Sequence, residues 1–359
     1  MHIDQVLVSA SPGDAITNAA FELRALLRRL GPSEIYARYY DPRLAGEVVP
    51  LDHYARRPEA RPDIDIVCFH ASIGEPDVMS FLQEQPERLV VIYHNISPAD
   101  AFRRYEPAFA GLLEAGREEL AELASRTHVA LADSEFNADE LRALGYHDVR
   151  VSPLVIDLTR LQSTPPHPGT ERHLETAVEG PVVLFVGQLL PHKRPDLLIE
   201  AFHVLATYLV PEAHLVLVGA GRLPAYRRAL ETFVHELNLA QVWVAGPVSD
   251  EELVAFYRRA DVFVTASEHE GFCVPLVEAM GFDVPVVARN HAAIPETLGG
   301  AGVVLPPDDD PLLLAEAMAT VVTDASFADE LRARGRARLE AFSPERARTT
   351  FLSHMLDLV

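Results

Sequence analysis

The stretch PVVLFVGQLLPHKRPDLLIEAF, residues 181–202, decides the fold. It opens with a continuous apolar, β-branched run, which is typical of a strand covered on both faces. A short loop follows Gly187, and Pro195 stands in the first turn of a periodic, apolar helix. The loop carries Lys193, the only lysine among the 31 basic residues. An anion at this strand–loop–helix junction would meet the helix amides and the ammonium together.

We therefore predict that Lys193 contacts a phosphate group, with a solvated loop lysine as the alternative. The stretch is not a P-loop, because no second glycine precedes the lysine and no Ser or Thr follows it. A phosphate contact of another kind is favoured, at the carboxyl end of a strand.

Similar apolar runs alternate with amphipathic helical stretches along the whole chain, and this predicts an α/β class with two doubly wound, Rossmann-like parallel sheets. Residues 162–180 break the alternation, because they are rich in proline and polar residues and lack periodicity. They are interpreted as an interdomain linker. The other predicted strands are DQVLVSA, DIVCFHA, RLVVIYH, HVALAD, HLVLVGA, QVWVAG, DVFVTA, VPVVA and GVVLP.

Composition excludes several classes of function. The formal net charge of −22 is spread over both halves, and such a surface repels nucleic acid and anionic membranes. No run approaches 18 apolar residues and no secretory signal opens the chain, so we expect a cytoplasmic protein with at most peripheral membrane contact. Cys68 and Cys273 are expected to be free thiols. The acidic run at residues 308–310 is interpreted as a solvated helix cap, and no Cys/His cluster has zinc spacing.

A second segment with candidate binding and catalytic residues is SEHEGFCVPLVEAMGFDVPVV, residues 267–287. Glu270 precedes a turn, and Pro275 then starts a helix that carries Glu278. The main-chain amides of residues 272–276 would point out of the helix start and bind hydroxyls or a phosphate. The two carboxylates accept hydrogen bonds only, which suits the hydroxyls of a sugar and a ribose. The alternative is a surface carboxylate and a capping glutamate.

These two segments together resemble family 4 of the retaining glycosyltransferases. The stretches AAIPETLGGAGVVLPPDD and DSEFNADELRALG resemble further segments of that family, so the resemblance covers the whole chain. It implies the GT-B fold, with an N-terminal domain at residues 1–163 and a nucleotide-sugar-binding domain at residues 164–342 that faces it across a cleft. A C-terminal helix, residues 343–359, is expected to cross back to the N-terminal domain.

The resemblance also implies roles for individual positions of the second half. They are Glu270 beside the donor sugar; Phe272, Cys273 and Val274 for main-chain contacts to sugar hydroxyls; Pro275 and Leu276 for the phosphate; Glu278 for the ribose; and Lys193 for the diphosphate. Gly187 and Gln188 are candidate substrate-binding residues of the loop that carries Lys193. The family usually has Arg where this chain has Gln188, and Arg194 is expected to substitute for it. The family often has Gly where this chain has Cys273.

Two segments of the first half are predicted to contribute. VVIYHNISP, residues 90–98, ends a strand at His94, which matches a family histidine close to the donor sugar; a strand-end histidine with a structural hydrogen bond is the alternative. SASPGDAIT begins a strand–loop–helix unit in which Gly13 lets the backbone approach a ligand. Asp14 is a candidate binding residue, although Asp14 and Thr17 are equally suited to capping the helix.

The resemblance implies transfer of a hexose from a nucleoside-diphosphate sugar to an acceptor hydroxyl, with retention at the anomeric carbon. It implies no cofactor and no divalent cation. Lys193, Glu270 and His94 are the expected catalytic residues. A catalytically silent nucleotide-sugar-binding subunit and a sugar-nucleotide epimerase remain alternatives. The donor base, sugar and acceptor stay open, because the contacts around residues 246–248 do not reveal them.

Overall fold

The structure is a computed structural model that describes residues 1–56 and 60–358. These residues form two compact units, each built around one parallel sheet. The first unit comprises Met1–Arg103, Pro107–Val155 and the chain from Ser343 onward, and the second comprises Arg104–Glu106 and Ile156–Phe342. The predicted α/β class with two Rossmann-like sheets is confirmed.

Within the described residues, the first unit contains a seven-stranded sheet of order β3-β2-β1-β4-β5-β6-β7, with every neighbouring pair parallel. Helices connect the strands, as parallel neighbours require. Short 3₁₀ turns lie at Pro42–Leu44 and Leu51–Arg56. The elements are β1 (Ile3–Ala10), α1 (Ala15–Leu27), β2 (Ile35–Tyr40), β3 (Val49–Pro50), β4 (Ile66–Ala71), α2 (Pro76–Glu84), β5 (Arg88–Tyr93), α3 (Asp100–Arg103), α4 (Pro107–Leu123), β6 (Thr127–Ala132), α5 (Glu135–Ala143) and β7 (Val149–Val151).

The second unit repeats this plan. Its elements are α6 (Leu158–Ser163), α7 (Pro168–Ala177), β8 (Val182–Val186), α8 (Pro195–Val204), β9 (His214–Val218), α9 (Pro224–Glu236), β10 (Val242–Gly246), α10 (Asp250–Arg259), β11 (Val262–Thr265), α11 (Val274–Gly281), β12 (Val286–Arg289), α12 (Ile294–Leu298), β13 (Val303–Leu305), α13 (Pro311–Thr323) and α14 (Ala325–Leu339). The six-stranded sheet found among the described residues is parallel and has the order β10-β9-β8-β11-β12-β13. The strand order reverses between β8 and β11, and ligands of such sheets bind beyond the carboxyl ends of the strands at this point.

The last helix, α15 (Pro344–Leu356), belongs to the first unit. Its Phe351 and Met355 are 2% and 0% exposed and pack in the core beside Ile3 and Leu27. The expected return of the C-terminal helix to the N-terminal domain is therefore confirmed, while Val359 lies outside the described residues. Among those described, no single helix has the length and apolarity needed to cross a bilayer; Pro311–Thr323 and Ala325–Leu356 pass that test only as a pair bent by 94°.

The interpretation of residues 162–180 as a linker needs correction, because the stretch contains helix α7. His167 caps this helix by accepting a hydrogen bond from the amide of Thr170, and Pro168 occupies its first turn. Leu174 is its main apolar anchor, at 1% exposure. One buried leucine among polar residues gives too little periodicity to predict a helix, and packing against α10 supplies the stability that the pattern does not reveal.

Candidate functional site

The two residues expected to act on the donor lie together in the second unit. Lys193 ends a 3₁₀ turn, Pro191–Lys193, that follows β8, and Glu270 lies in the loop after the neighbouring strand β11. Lys193 Nζ lies 2.6 Å from Glu270 Oε1, and the two side chains are 19% and 11% exposed. The reversal of strand order thus brings residues 77 positions apart into one ion pair.

The start of α11 presents main-chain amides without a side-chain cap. Cys273 is the N-cap residue, its φ of 71° and ψ of 66° are left-handed, and its side chain makes no capping hydrogen bond. Pro275 stands in the first turn, and Val274 and Leu276 are the other residues of the helix start. Pro275 has no N–H, and the Leu276 amide donates to the Cys273 carbonyl at 3.0 Å. The uncapped helix start and the positive end of the helix dipole nevertheless form an anion-binding feature.

The thiol of Cys273 lies close enough to the Lys193–Glu270 ion pair for both charges to affect its pKa. Burial raises the pKa of the Cys273 thiol well above its ordinary value, Glu270 raises it further, and Lys193 opposes the shift. Phe272, the preceding residue, is also buried, and its carbonyl accepts a hydrogen bond from Thr297 of α12 at 2.5 Å. The turn before α11 is therefore tied to α12.

Glu278, the expected ribose ligand, has a partner that the sequence analysis missed. The hydroxyl of Tyr257 on α10 donates to Glu278 Oε2 at 2.8 Å. Burial raises the pKa of Glu278, and the hydrogen bond from Tyr257 opposes that rise. A buried tyrosine hydroxyl needs a polar partner, so Tyr257 in the middle of an amphipathic helix was a usable signal.

Arg194 was expected to compensate for Gln188, but its guanidinium is engaged elsewhere. Its Nη1 lies 2.6 Å from both Glu268 and Asp309, and its Nε lies 3.1 Å from Asp196. Burial lowers the pKa of Arg194, but these carboxylates outweigh burial and raise it. Arg194 could reach a diphosphate only by giving up these ion pairs, while Gln188 is exposed in the loop after β8.

Gly187 lies where the ends of β8 and β9 approach each other closely. Its amide donates to the carbonyl of Val218 at 2.9 Å. A Cβ on neighbouring Gly219 would lie 1.9 Å from the Gly187 carbonyl oxygen, so the backbones meet without space for a side chain. This packing fixes the start of the loop that carries Lys193.

In the first unit, His94 follows β5 and both of its ring nitrogens are occupied. Nδ1 lies 2.9 Å from Asp133 Oδ2, and Nε2 lies 2.8 Å from Nδ1 of His70. The side chains of His94 and Asp133 are 5% and 6% exposed. A contact from His94 to a sugar would therefore involve the ring edge or the main chain, and not a free ring nitrogen.

Gly13 and Asp14 lie in the loop between β1 and α1. Gly13 has a φ of +80°, and a Cβ there would meet nothing within 4 Å, so backbone conformation and not space favours glycine. The Asp14 carboxylate accepts from the amide and hydroxyl of Thr17, at 2.9 and 3.0 Å, as the N-cap of α1. The capping role is thus present, and the binding role remains a prediction.

In the part of the chain that the structure describes, no three His, Cys, Asp or Glu side chains lie close enough together to hold a metal ion. Within the acidic run at residues 308–310, Asp310 caps α13 and Asp309 pairs with Arg194 and Arg289.

Known proteins were compared with this chain by sequence and by fold. Residues 170–338, most of the second unit, match the family described as glycosyl transferases group 1. The chain is 28% identical to O-antigen chain mannosyltransferase B of Escherichia coli over 75% of its own length and 70% of that protein's. It is 29% identical to D-inositol 3-phosphate glycosyltransferase of Kineococcus radiotolerans, over 63% of the chain and 56% of that relative.

Among solved structures, HepE of Anabaena in complex with UDP-glucose superimposes with a TM-score of 0.76 at 16% identity, over 99% of both chains. A likeness at this identity establishes the fold. The chain therefore has the GT-B fold, and its second unit carries the match to the glycosyl transferases group 1 family.

Proposed function

We propose that this chain is a retaining glycosyltransferase that moves a hexose from a nucleoside-diphosphate sugar to an acceptor hydroxyl without a metal ion. The observation that carries the proposal is the ion pair of Lys193 and Glu270 beside the uncapped start of α11. The mannosyltransferase relative and the neighbour bound to UDP-glucose support a sugar-nucleotide donor.

Each group has a chemical role in this proposal. The bond from the anomeric carbon to the diphosphate breaks, and Lys193 with the amides of α11 stabilises the charge on the departing phosphate. Glu270 accepts hydrogen bonds from sugar hydroxyls, and Glu278 accepts them from the ribose. The acceptor oxygen attacks the same face of the sugar, and its proton passes to an oxygen of the leaving diphosphate.

The ion pair also explains why a lysine suits this position. Lys193 Nζ is paired with Glu270 Oε1 at 2.6 Å. A diphosphate offers a stronger counter-charge, and a compact ammonium with rotatable donors can turn from one to the other. Glu270 is then released toward the sugar hydroxyls.

The test combines nucleotide binding and turnover. UDP, GDP, ADP and dTDP are first compared by the rise in melting temperature that each produces. Sugar donors with the best base are then assayed for diphosphate release with candidate acceptors. Lys193→Met should lower kcat/KM at least about 100-fold, as does loss of an oxyanion-stabilising donor. Arg336→Ala removes an exposed cation of the same unit, paired with Asp283, and serves as the matched control.

Full turnover by Lys193→Met would contradict the assignment of the diphosphate site. Retention is tested separately, by the anomeric configuration of the first product in an NMR time course. An inverted product would remove the retaining mechanism and leave the transfer itself intact. Activity that survives EDTA would support the metal-independent reaction, and activity restored only by added Mg²⁺ would oppose it.

A second candidate, a catalytically silent nucleotide-sugar-binding subunit, is favoured by one observation. Gln188 stands where the family usually has Arg, and Arg194 is held by three carboxylates. The diphosphate would then receive a single side-chain cation. Tight nucleotide binding without transfer or hydrolysis across the donor and acceptor panel would favour this candidate.

A further inference from the structure

A continuous chain of buried hydrogen bonds runs behind His94 in the first unit. Asp133 contacts His94 at 2.9 Å, His94 contacts His70 at 2.8 Å, and His70 contacts Gln5 Oε1 at 2.9 Å. Gln5 Nε2 then donates to the carbonyl of Ala20 at 3.1 Å. Gln5 and His70 are 0% and 1% exposed, so water does not replace these bonds.

The direction of every bond follows from the carbonyl at the far end. A carbonyl oxygen only accepts, so the amide nitrogen of Gln5 must face Ala20 and its oxygen must face His70. His70 Nε2 therefore carries a proton and donates it to Gln5. In a neutral His70 ring, Nδ1 is then unprotonated and must accept the proton of His94 Nε2.

The other end of the chain holds a carboxylate, which also only accepts. His94 Nδ1 must therefore donate to Asp133 while His94 Nε2 donates to His70. We propose that His94 carries both ring protons as an imidazolium paired with Asp133, and that Asp133 and His70 are positioning residues that fix this cation. His94 would then have no lone pair with which to take a proton from an acceptor hydroxyl.

Two arguments place the additional proton on His94. An imidazole nitrogen is a stronger base than a carboxylate oxygen, so the proton between His94 and Asp133 resides on the ring. Burial, and then the neighbouring His94, lower the pKa of His70 well below its ordinary value, so His70 stays neutral. His70 thus supplies the acceptor that the chain requires.

Ring geometry supports an N–H···N bond between the two histidines. The ring planes differ by 13° and their centroids lie 5.1 Å apart. Nitrogens 2.8 Å apart are closer than the faces of stacked rings can come, so the rings meet edge to edge in nearly one plane. His94 and Asp133 line a pocket in the first unit, and the further ionisable side chain on that pocket among the described residues is Glu22 of α1.

The proton assignment does not depend on the proposed function, but its consequence does. If the chain is a glycosyltransferase, His94 contributes a fixed positive charge at the carboxyl edge of the first sheet and is excluded as the general base. The proton of the acceptor hydroxyl then passes to another group, which in the reaction proposed above is the departing diphosphate.

The test is nitrogen NMR of the histidine rings in the full chain, labelled with ¹⁵N, at pH 7.5. His94 should show two N–H-type ring nitrogens, while His70 should show one protonated and one unprotonated nitrogen. His94→Gln and His70→Gln variants assign the signals. A neutral ring for His94 would overturn the proposal whatever the activity of the enzyme.

Asp133→Asn provides the matched variant. The asparagine amide can donate to His94 Nδ1, and His94 Nε2 can still donate to His70, so every hydrogen bond survives with both rings neutral. His94 should therefore lose one ring proton in Asp133→Asn, and keep both in Glu22→Gln, which neutralises the other carboxylate of the pocket. A doubly protonated His94 in Asp133→Asn would also overturn the proposal, because the charge would not depend on its counter-ion.

Discussion

At the scale of the residue, Cys273 begins the helix of the proposed phosphate site in a conformation that favours glycine. Its φ is 71°, and a residue with a Cβ in this region costs roughly 1–2 kcal/mol. Buried Cys68 provides a comparison, because it lies in the middle of β4, where β-branched residues are favoured. The same substitution at the two cysteines therefore separates backbone strain from the effect of added volume.

We expect Cys273→Val to lower the free energy of unfolding at least about 1 kcal/mol more than Cys68→Val does, since a β-branched side chain adds to left-handed strain. Denaturant unfolding of both variants measures the difference. Cys273→Gly should stay within about 1 kcal/mol of the natural chain, because relief of strain offsets the lost burial. Equal losses at the two valine variants would show that the conformation at Cys273 is not strained.

The hydrogen bond from Tyr257 to Glu278 is expected to make nucleotide binding depend on pH. Burial raises the pKa of Glu278 and the Tyr257 hydrogen bond opposes this, so Tyr257→Phe should raise it further. Less carboxylate is then available to accept from a ribose as the pH falls. We expect the variant to bind nucleoside diphosphate about 5-fold more weakly, with a larger loss at pH 5.5 than at pH 8.

Calorimetric titration at both pH values checks this expectation. Tyr146→Phe is the control, because it removes a buried tyrosine hydroxyl bonded to the Leu120 carbonyl in the other unit. It should lower stability without changing nucleotide affinity. A Tyr257→Phe loss that is the same at both pH values would argue against a role for the ionisation of Glu278.

At the scale of the element, Arg194 ties together three loops at the carboxyl edge of the second sheet. It follows the Lys193 turn, and it pairs with Glu268 after β11 and with Asp309 after β13. The Arg194 side chain is 17% exposed, whereas Asp196, Glu268 and Asp309 are 35%, 43% and 53% exposed, so solvent compensates part of the charge that its removal leaves unpaired. The loops that carry Lys193 and Glu270 should then lose their fixed separation.

Arg194→Met is therefore expected to lower stability by about 1–2 kcal/mol, between the values for exposed and buried ion pairs, and to weaken nucleotide binding as well. Arg160→Met breaks the Arg160–Asp250 pair, in which Arg160 is 75% exposed, and should change stability by less than about 0.5 kcal/mol. Thermal unfolding and nucleotide titration compare the two. Similar small losses in both variants would show that the three loops are positioned by their backbones.

Elements were far easier to predict from the sequence than the contacts between them. The predicted strands are all present. Helix α10 begins with a capping box of Ser249 and Glu252, which is a motif of the local sequence. These signals are local, because periodicity and caps depend on neighbours along the chain. Helix α7 was missed because a single leucine anchors it. The Tyr257–Glu278 bond was missed because the local sequence signals that Tyr257 needs a polar partner but does not identify a partner 21 residues away.

At the scale of the whole molecule, one topology is used twice. In both sheets the strand order reverses after the first strand of the unit, between β1 and β4 and between β8 and β11. Gly13 and Lys193 occupy the loops after β1 and β8. Sequence alternation predicted this plan, since parallel sheets with helical crossovers place their loops at one edge. The ion pairs of Arg194 could not be predicted, because they join loops that only the folded sheet brings together.

The charge of the molecule leads to a prediction about the rate of ligand binding. A formal charge of −22 repels a nucleoside diphosphate at long range, although Lys193 attracts it locally. The screening length falls from about 30 Å at 0.01 M salt to about 8 Å at 0.15 M, so salt removes the distant repulsion before the local attraction. We expect the association rate constant to rise several-fold over this range, in contrast to enzymes whose surface attracts the ligand.

Stopped-flow measurement of nucleoside diphosphate binding at 25 °C tests this, with the uncharged nucleoside as the control. The nucleoside rate should not depend on salt, because it has no charge for the field to act on. The dissociation rate of the diphosphate should also rise with salt, because salt weakens its contact with Lys193. This rise should be smaller than the effect on association, because a short-range contact is screened less than a long-range repulsion. An association rate that falls with salt would show that the cations around the site outweigh the field of the whole chain, and that the acidic surface lies too far from the site to matter.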